Sequence, residues 1–447
     1  MSDPRSIETE ATELLCTLIR NACVNDGTPE SGHEDRNADA LEAYFAGSGL
    51  TFERHTAGPG RVSLITRIEG NDPQAPTLLL MGHTDVVPVN PSGWERDPFG
   101  AEVVDGIVWG RGATDMLNIT STMAVATRRL SRSGFKPRGT LIYLAVADEE
   151  AGSVYGASYL TREKFDAVKA DYVITESGGV PIPTASGIKL PVTVGEKGVN
   201  WRRLVVRGTP GHGSMPFRTD NALVTAAEVV RRVAAYQPKP KILDEWRRYV
   251  TELELPKELE AALTDPARVL EAVRTLEPLG LARIAHACTH TTFSPNVVHG
   301  GSKINVIPDR IAIDVDVRAL PGVSPLDVDA MLKEALGDLA SRVDIEAPRG
   351  QEGSMTPLDT PLGDALARVT QALMPGSKII PRMTGGATDS RFFRWKGVPS
   401  YGFALHSRRI PYTDYPLMFH GNNERIDTES LRLSATMWEA LCRDFLG

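Results

Sequence analysis

In the segment Gly82-His83-Thr84-Asp85 an imidazole and a carboxylate stand two residues apart, directly after the apolar run at residues 77–81. If that run is a buried strand, the pair lies beyond its carboxyl end, where ligands of open α/β sheets collect. There His83 can bind a metal while Asp85 hydrogen-bonds the other ring nitrogen, which fixes the tautomer and raises ligand basicity. Asp115 ends a glycine-rich turn, Gly110-Arg111-Gly112-Ala113-Thr114-Asp115, ahead of a helical pattern. A carboxylate in that position can bridge two cations with its two oxygens. Glu149 and Glu150, in Ala147-Asp148-Glu149-Glu150-Ala151-Gly152, follow a second apolar run. Adjacent carboxylates repel, and either solvent or a bound cation must offset the repulsion. Glu176 follows a third run, and His420 stands in Phe419-His420-Gly421-Asn422-Asn423-Glu424. Taken singly, each feature has a plainer reading: a surface histidine at a turn, a helix N-cap, a solvated strand end. Taken together, Asp, Glu and His side chains at the strand ends of one α/β layer form the nitrogen and oxygen ligand set that zinc accepts.

The elements that must position these residues show in the apolar patterning. Residues 139–146 and 172–175 join 77–81 as continuous apolar runs, which suit strands covered on both faces. Helical patterns at 119–131 and 154–165 alternate with them, another opens the chain at 6–21, and 51–67 is strand-rich. Such alternation predicts an α/β layer with a mixed, largely parallel sheet. Beyond residue 191 the pattern changes. A strand is expected over 192–206, then a turn-rich loop, then a helix over 220–235 with Asp220 or Thr219 as N-cap. Residues 238–290 are charged and mostly helical. Strands follow at 291–298 and 303–317, then a helix at 325–339. Ile311, Ile313, Val315 and Val317 alternate with polar residues, which predicts a sheet with one covered face. The β-α-β-β-α-β order, interrupted by a helical insertion, predicts a smaller α+β domain set into the larger one. The expected division is 1–193 and 353–447 for the larger domain and 194–352 for the inserted one, with the insertion at about 238–290. The chain closes with a helix at 428–445.

Composition narrows the function classes. At 447 residues the chain exceeds what one core usually organises. Hydrophobic residues make up 41% and charged residues 24%, ordinary values for a globular enzyme. A formal net charge of -8, interspersed along the chain, argues against nucleic acid as a partner. Cys16, Cys23, Cys288 and Cys442 form no CxxC pair and read as reduced thiols. The N-terminus lacks the basic and apolar segments of a secretory signal, and no window is long and apolar enough for a membrane span. A cytoplasmic protein with no membrane partner is the expectation. The glycine-rich turns do not form GxGxxG between a strand and a helix, which disfavours nucleotide binding.

The segments GHTDVVPV with the following GW and DPF, GRGATDM, ADEEAGS, the Glu176 segment, GTPGHGSMP, INVIPDR and GGATDSRFF extend in that order over most of the chain. As a set they resemble the M20 family of metallopeptidases and amidohydrolases, and GHTDVVPV and DSRFF lean towards its aminoacylase-1 and carboxypeptidase S branch. The resemblance implies a zinc-exopeptidase-like catalytic domain and a ferredoxin-like lid or dimerisation domain. It implies two zinc ions, for which cobalt or manganese could substitute. His83, Asp115 and Glu176 would hold one, and Asp115, Glu150 and His420 the other, with Asp115 bridging. Some family members carry Asp where Glu176 stands. Glu149 would be the general base, taking a proton from the attacking water and passing it to the leaving amine. Asp85 would orient His83.

His212, in Gly211-His212-Gly213-Ser214, resembles a lid histidine that in dimeric relatives reaches into the partner's active site, so a homodimer through the lid is expected. Asn305 and Arg318 resemble lid residues that take a substrate carboxylate, Arg318 through paired hydrogen bonds. Gly386 and Thr388 lie in a loop whose backbone N–H groups could offer an anion site at a helix start. Each of these also has an ordinary reading, as a loop histidine, a strand-end arginine or a glycine turn. The expected substrate is an N-acyl amino acid or small peptide with a free carboxylate. Dipeptidase, carboxypeptidase and biosynthetic deacylase activities are alternatives. A catalytically inactive metal or metabolite binder should have lost Glu149 or a ligand, and all of these residues are present. His33, His55, His286, His290, His299 and His406 read as structural or solvated, and Trp94 and Phe99 as pocket lining or core.

Overall fold

A computed structural model describes residues 6–447. The chain forms two compact units. The first comprises the chain up to Val194 with Thr356–Arg382 and Thr388–Gly447; the second comprises Gly195–Met355 with Met383–Ala387. No change of composition announces that last short segment.

In the first unit the apolar runs form strands Leu78–His83, Leu141–Val146 and Tyr172–Thr175. Side chains alternate across a strand, so a run without polar breaks must be covered on both sides. Leu78 and Leu80 join one core with Leu15, Met123 and Leu441. Leu79 and Met81 join another with Leu160, Val173 and Phe393. Burying each such leucine contributes about 2 kcal/mol. The sheet order is Phe52–Gly58, Arg61–Ile68, Leu141–Val146, Leu78–His83, Tyr172–Thr175, Ser400–Gly402 and Gly187–Glu196. The central four strands run parallel, and antiparallel strands complete both sides. The sheet is therefore mixed, with its parallel part in the middle.

Helix Leu117–Arg132 crosses one face and is buried over most of its length. It approaches the central strand so closely that a Cβ at Gly82 would lie 2.3 Å from Thr120 Oγ1. That hydroxyl donates to the His83 carbonyl at 2.8 Å. Ser6 caps helix Ile7–Arg20 by accepting from the Thr9 N–H. The helix expected over 154–165 is shorter, Ala157–Glu163, and a separate turn of helix, Phe165–Val168, follows it. The residues ahead of Ala157 are drawn into a turn, with the Ser153 N–H donating to the Asp148 carbonyl at 2.6 Å.

The second unit is an antiparallel sheet with helices on one face. Its order is Gly198–Val199, Arg310–Ala319, Arg202–Arg207 and Val343–Glu346, with Thr292–Gly300 also paired to Arg310–Ala319. Helices Ala222–Ala235 and Pro325–Leu336 supply Val229, Val233, Val328 and Leu332 to a core that takes Ile311, Ile313, Val315 and Val317 from the alternating strand. The single strand expected over 192–206 is broken: Gly187–Glu196 and Arg202–Arg207 are separate. At the break Gly198 passes so close to the Gln351 carbonyl that a Cβ would lie 2.2 Å from it. Helix Ala222–Ala235 is capped by Asn221, whose Oδ1 accepts from the Leu223 N–H at 2.9 Å, and not by Asp220 or Thr219. Asp220 is engaged by Arg342 instead. Residues 238–290 fold into helices Asp244–Glu252, Lys257–Leu263, Val269–Thr275 and Leu279–Thr289. All four cysteines are buried, and none forms a disulfide among the described residues. Among the described residues no helix is long and apolar enough to cross a membrane.

Candidate metal centre

His83 is the last residue of the central strand, and Glu176 follows Thr175 at the end of its parallel neighbour. Glu149 and Glu150 lie in the loop after Leu141–Val146. Asp115 sits between strand Ile107–Trp109 and helix Leu117–Arg132. His420 comes from the loop between Tyr415–Met418 and strand Arg425–Asp427. Parallel strands deliver their carboxyl ends to one edge of the sheet, which brings residues remote in sequence to one place. Three of these loops carry a non-glycine residue in the left-handed region: Asp148 at φ 66°, Ser177 at φ 75° and His420 itself at φ 56°. Such backbone costs energy and persists where surrounding contacts hold it.

Two sets of donor atoms result, each with its atoms within 4.8 Å of one another: His83, Asp115 and Glu176, and Asp115, Glu150 and His420. Asp115 belongs to both. Its Oδ1 lies 3.3 Å from His83 Nε2 and its Oδ2 3.4 Å from His420 Nε2. His420 Nε2 is also 3.1 Å from Glu150 Oε2. Asp115 makes no helix-capping bond, since Met116 holds the cap position without a side-chain contact. Glu150 Oε1 is buried without a hydrogen-bond partner among the described residues. The set of imidazole nitrogens and carboxylate oxygens, including one buried orphan acceptor, fits divalent zinc.

The electrostatics agree. Burial pushes Glu149, Glu150 and Glu176 above the usual carboxylate range, helped by Asp389 on Glu149, Asp115 on Glu150 and Glu149 on Glu176. Burial also acts to raise Asp115, yet its bonds to His420 and His83 outweigh that and hold it well below the usual range. Burial acts to lower His83, and the Asp115 bond with the surrounding Glu176, Asp85 and Glu150 charges raises it instead. Asp115 and Glu150 push His420 up to about 10. Carboxylates outnumber imidazoles, an imbalance that bound cations would offset.

Asp85 does more than was expected of it. His83 Nδ1 lies 2.9 Å from the Asp85 backbone carbonyl and 3.5 Å from its carboxylate. The carboxylate itself accepts from the backbone N–H groups of Glu149 at 3.2 Å and Glu150 at 3.1 Å, and from Asn25 Nδ2 at 2.8 Å. It therefore bears on both the imidazole and the paired glutamates.

The other expected site residues divide between the units. His212, Asn305, Arg318 and Gly386 belong to the second and Thr388 to the first. His212 is exposed, and its Nδ1 lies 2.7 Å from Ser214 Oγ. Asn305 is exposed beside it, its carbonyl accepting from the Gly213 N–H at 2.8 Å. Arg318 Nε donates to Asp316 at 2.8 Å. The Gly386 N–H contacts Thr384 Oγ1 at 3.4 Å, and buried Thr388 accepts from the Ser390 N–H at 3.2 Å. Trp94 lies against the Arg111 guanidinium, and Phe99 packs on the main core. Among the remaining histidines, His286 stacks on His290, His299 bonds Asp314 and buried His406 contacts Tyr415.

Sequence reasoning missed several neighbours. Asp389 accepts from Ser153 Oγ at 2.5 Å, and Arg391 Nη1 lies 3.9 Å from Glu149. Arg111 and Glu424 form a buried pair at 2.9 Å beside Asp115. All lie in segments already singled out, but spacing gives no sign of partners so remote.

The model of peptidase family M20/M25/M40 matches residues 79–444. The chain belongs to this family. It is accordingly a hydrolase of a metal-dependent family. Mouse aminoacylase-1 is 28% identical over 391 residues, covering 86% of this chain and 84% of that protein. An N-fatty-acyl-amino acid synthase/hydrolase of Xenopus tropicalis is 29% identical over 388 residues, covering 84% and 73%. Among solved structures, an M20 family metallo-carboxypeptidase of Sulfolobus solfataricus superposes with a TM-score of 0.75 at 20% identity, covering 98% of this chain and 99% of that one. That likeness shows an M20 peptidase fold over 98% of this chain. Membership of a hydrolase family also sets aside the inactive binder.

Proposed function

We propose that this M20 hydrolase uses two zinc ions to cleave the amide bond of an N-acyl amino acid or small peptide bearing a free carboxylate. The observation that carries the reading is Asp115, which turns one oxygen to each of two histidines brought from opposite ends of the chain. His83, Asp115 and Glu176 would hold one ion, and Asp115, Glu150 and His420 the other. When bound, the ions supply Lewis acidity and make a water acidic enough to attack near neutral pH. Glu149 would take a proton from the attacking water and return it to the leaving amine. Its burial and its Asp389 neighbour favour a carboxyl ready to hold a proton. Asp85 keeps Glu149 and Glu150 in register through their backbone N–H groups.

Arg318 takes the substrate carboxylate with its two terminal nitrogens, which have no hydrogen-bond partner among the described residues while Nε engages Asp316. Asn305 and the Gly386–Thr388 loop provide further donors. His212 serves the site of a partner subunit, in a homodimer formed through the second unit. Exposed Met215, Phe217, Ile304 and Val306 surround the His212 and Asn305 loops and support a covered face there. The aminoacylase-1 relatives favour N-acyl amino acids, and the likeness to a carboxypeptidase keeps a peptidase reading as second.

The test is a panel of N-acyl amino acids and dipeptides assayed with zinc-loaded and chelated protein, together with Glu149→Gln. The substitution should lower kcat about a thousandfold and leave two ions bound. Full activity in the variant would remove Glu149 from its role, and equal turnover by chelated protein would end the metal reading.

A further inference from the structure

Glu424 is fully buried, yet nothing in the proposed chemistry uses it. Its Oε1 accepts from the backbone N–H groups of Thr114 at 2.7 Å and Asp115 at 2.8 Å. Its Oε2 accepts from the Gly112 N–H at 3.0 Å and from Arg111 Nη1 at 2.9 Å. The Glu424 carbonyl accepts from the Gly110 N–H at 3.0 Å, and the next carbonyl, that of Arg425, from Thr114 Oγ1 at 3.1 Å. One residue thus grips the whole turn that ends in Asp115. The grip extends to the other ligand segment as well. Arg111 is 2% exposed, and its Nη2 reaches the His420 carbonyl at 3.5 Å and the Pro88 carbonyl at 3.4 Å. Four residues before Glu424, His420 is held in left-handed backbone.

We infer that Glu424, with Arg111, is a positioning residue for both metal ions: it fixes the peptide that carries Asp115 and ties it to the loop that carries His420. The inference rests on the two-ion reading. A carboxylate suits the task because it is acceptor-only, and all four side-chain contacts on it are donors. Glutamine cannot replace it without loss. Whichever way its amide is turned, the NH2 group meets two of those donors, and Arg111 loses its counter-charge. Because Asp115 is shared, a displaced turn weakens both ions, whereas replacing Glu176 or His420 removes a ligand from one.

The test measures binding of zinc, in competition with a chromophoric chelator, to the wild-type chain and to Glu424→Gln. It also records the absorption spectrum of each protein loaded with cobalt(II), which reports ligand geometry. Affinity for both ions should fall by about tenfold to a hundredfold, the usual cost of losing a partner that orients a metal ligand, and the cobalt spectrum should shift. Glu10→Gln is the control. Glu10 is a buried carboxylate bound to Tyr44, Arg128 and Arg129. Its loss should lower the melting temperature and leave zinc affinity and spectrum as they are. If Glu424→Gln does not fold, Glu424→Asp, which keeps the charge and shortens the reach, is read in the same way. Unchanged affinity and spectrum in the folded variant, or equal losses in the Glu10 control, overturn the inference. A wild-type chain that takes up no metal at all refutes the two-ion reading instead.

Discussion

His83 and His420 face the two oxygens of Asp115, but their surroundings differ. His83 ends a strand in the middle of the sheet, is 1% exposed, and is fixed by the Asp85 carbonyl on one side and Asp115 on the other. His420 lies on a loop with a side chain 58% exposed, and its imidazole faces Asp115 and Glu150. Glu176 follows a strand immediately, while Glu150 is held through its backbone by Asp85. One triad is built on the sheet and the other is closed by a loop. Placing a ligand on a strand end gives rigidity; placing one on an exposed loop gives access. On the two-ion proposal, the difference would separate an ion that belongs to the fold from one that can exchange.

The strongest challenge to that contrast is Asp115→Asn. Because the residue serves both triads, the variant should lose both ions and all measurable activity, read by metal content after equilibrium dialysis; retention of either ion would dissolve the shared-ligand picture. His83→Ala should cost the first ion and also destabilise the metal-free protein by about 2 kcal/mol, since it opens a buried site lined with carboxylates. His420→Ala should leave one ion per chain and change the stability of chelated protein less than His83→Ala does, as expected for an exposed position. A reversed ranking in thermal melts would invert the comparison. Wild-type protein exposed to a chelator should release its ions in two phases, and the His420→Ala variant should lack the faster one.

The smallest expected effect concerns acid, and it keeps loss of metal apart from loss of fold. Burial lowers His406 from 6.5 to about 4. A histidine with a depressed value in the folded state binds fewer protons there than in the unfolded chain between those limits, so stability is present above pH 6.5 and falls as pH drops towards 4. The chelated protein should lose about 1 kcal/mol at about pH 5.5, and His406→Gln should flatten that part of the curve. A variant with the same acid slope as wild type would trace it to other groups.

Much of this arrangement is legible in the amino-acid sequence. The runs at Leu78–His83, Leu141–Val146 and Tyr172–Thr175 are apolar because two cores press on one sheet, and the ligands follow their ends for the reason that any parallel sheet gathers its strand ends. Alternation at Ile311, Ile313, Val315 and Val317 reported a single covered face. Local features decided less. Asn221 outranks Asp220 as a cap because Asp220 is engaged by Arg342, 122 residues away, and spacing cannot reveal that. The same holds for Arg111 with Glu424 and for Ser153 with Asp389, whose meaning lies in long-range partners. Asp85 was placed beside His83 by a two-residue interval, but its hold on Glu149 and Glu150 exists only once two strands lie side by side.

The contact between Glu424 and the Asp115 amide spans 309 positions of chain. During synthesis the ribosome releases His83, Asp115 and Glu176 long before it reaches Glu424. A nascent polypeptide therefore displays every donor of the first triad without the clasp, and on the proposed role of Glu424 secure metal loading would wait for the last part of the message. A premature stop ahead of residue 420 would remove His420 and Glu424 together with helix Thr428–Leu446, which supplies Leu431, Trp438 and Leu441 to the main core.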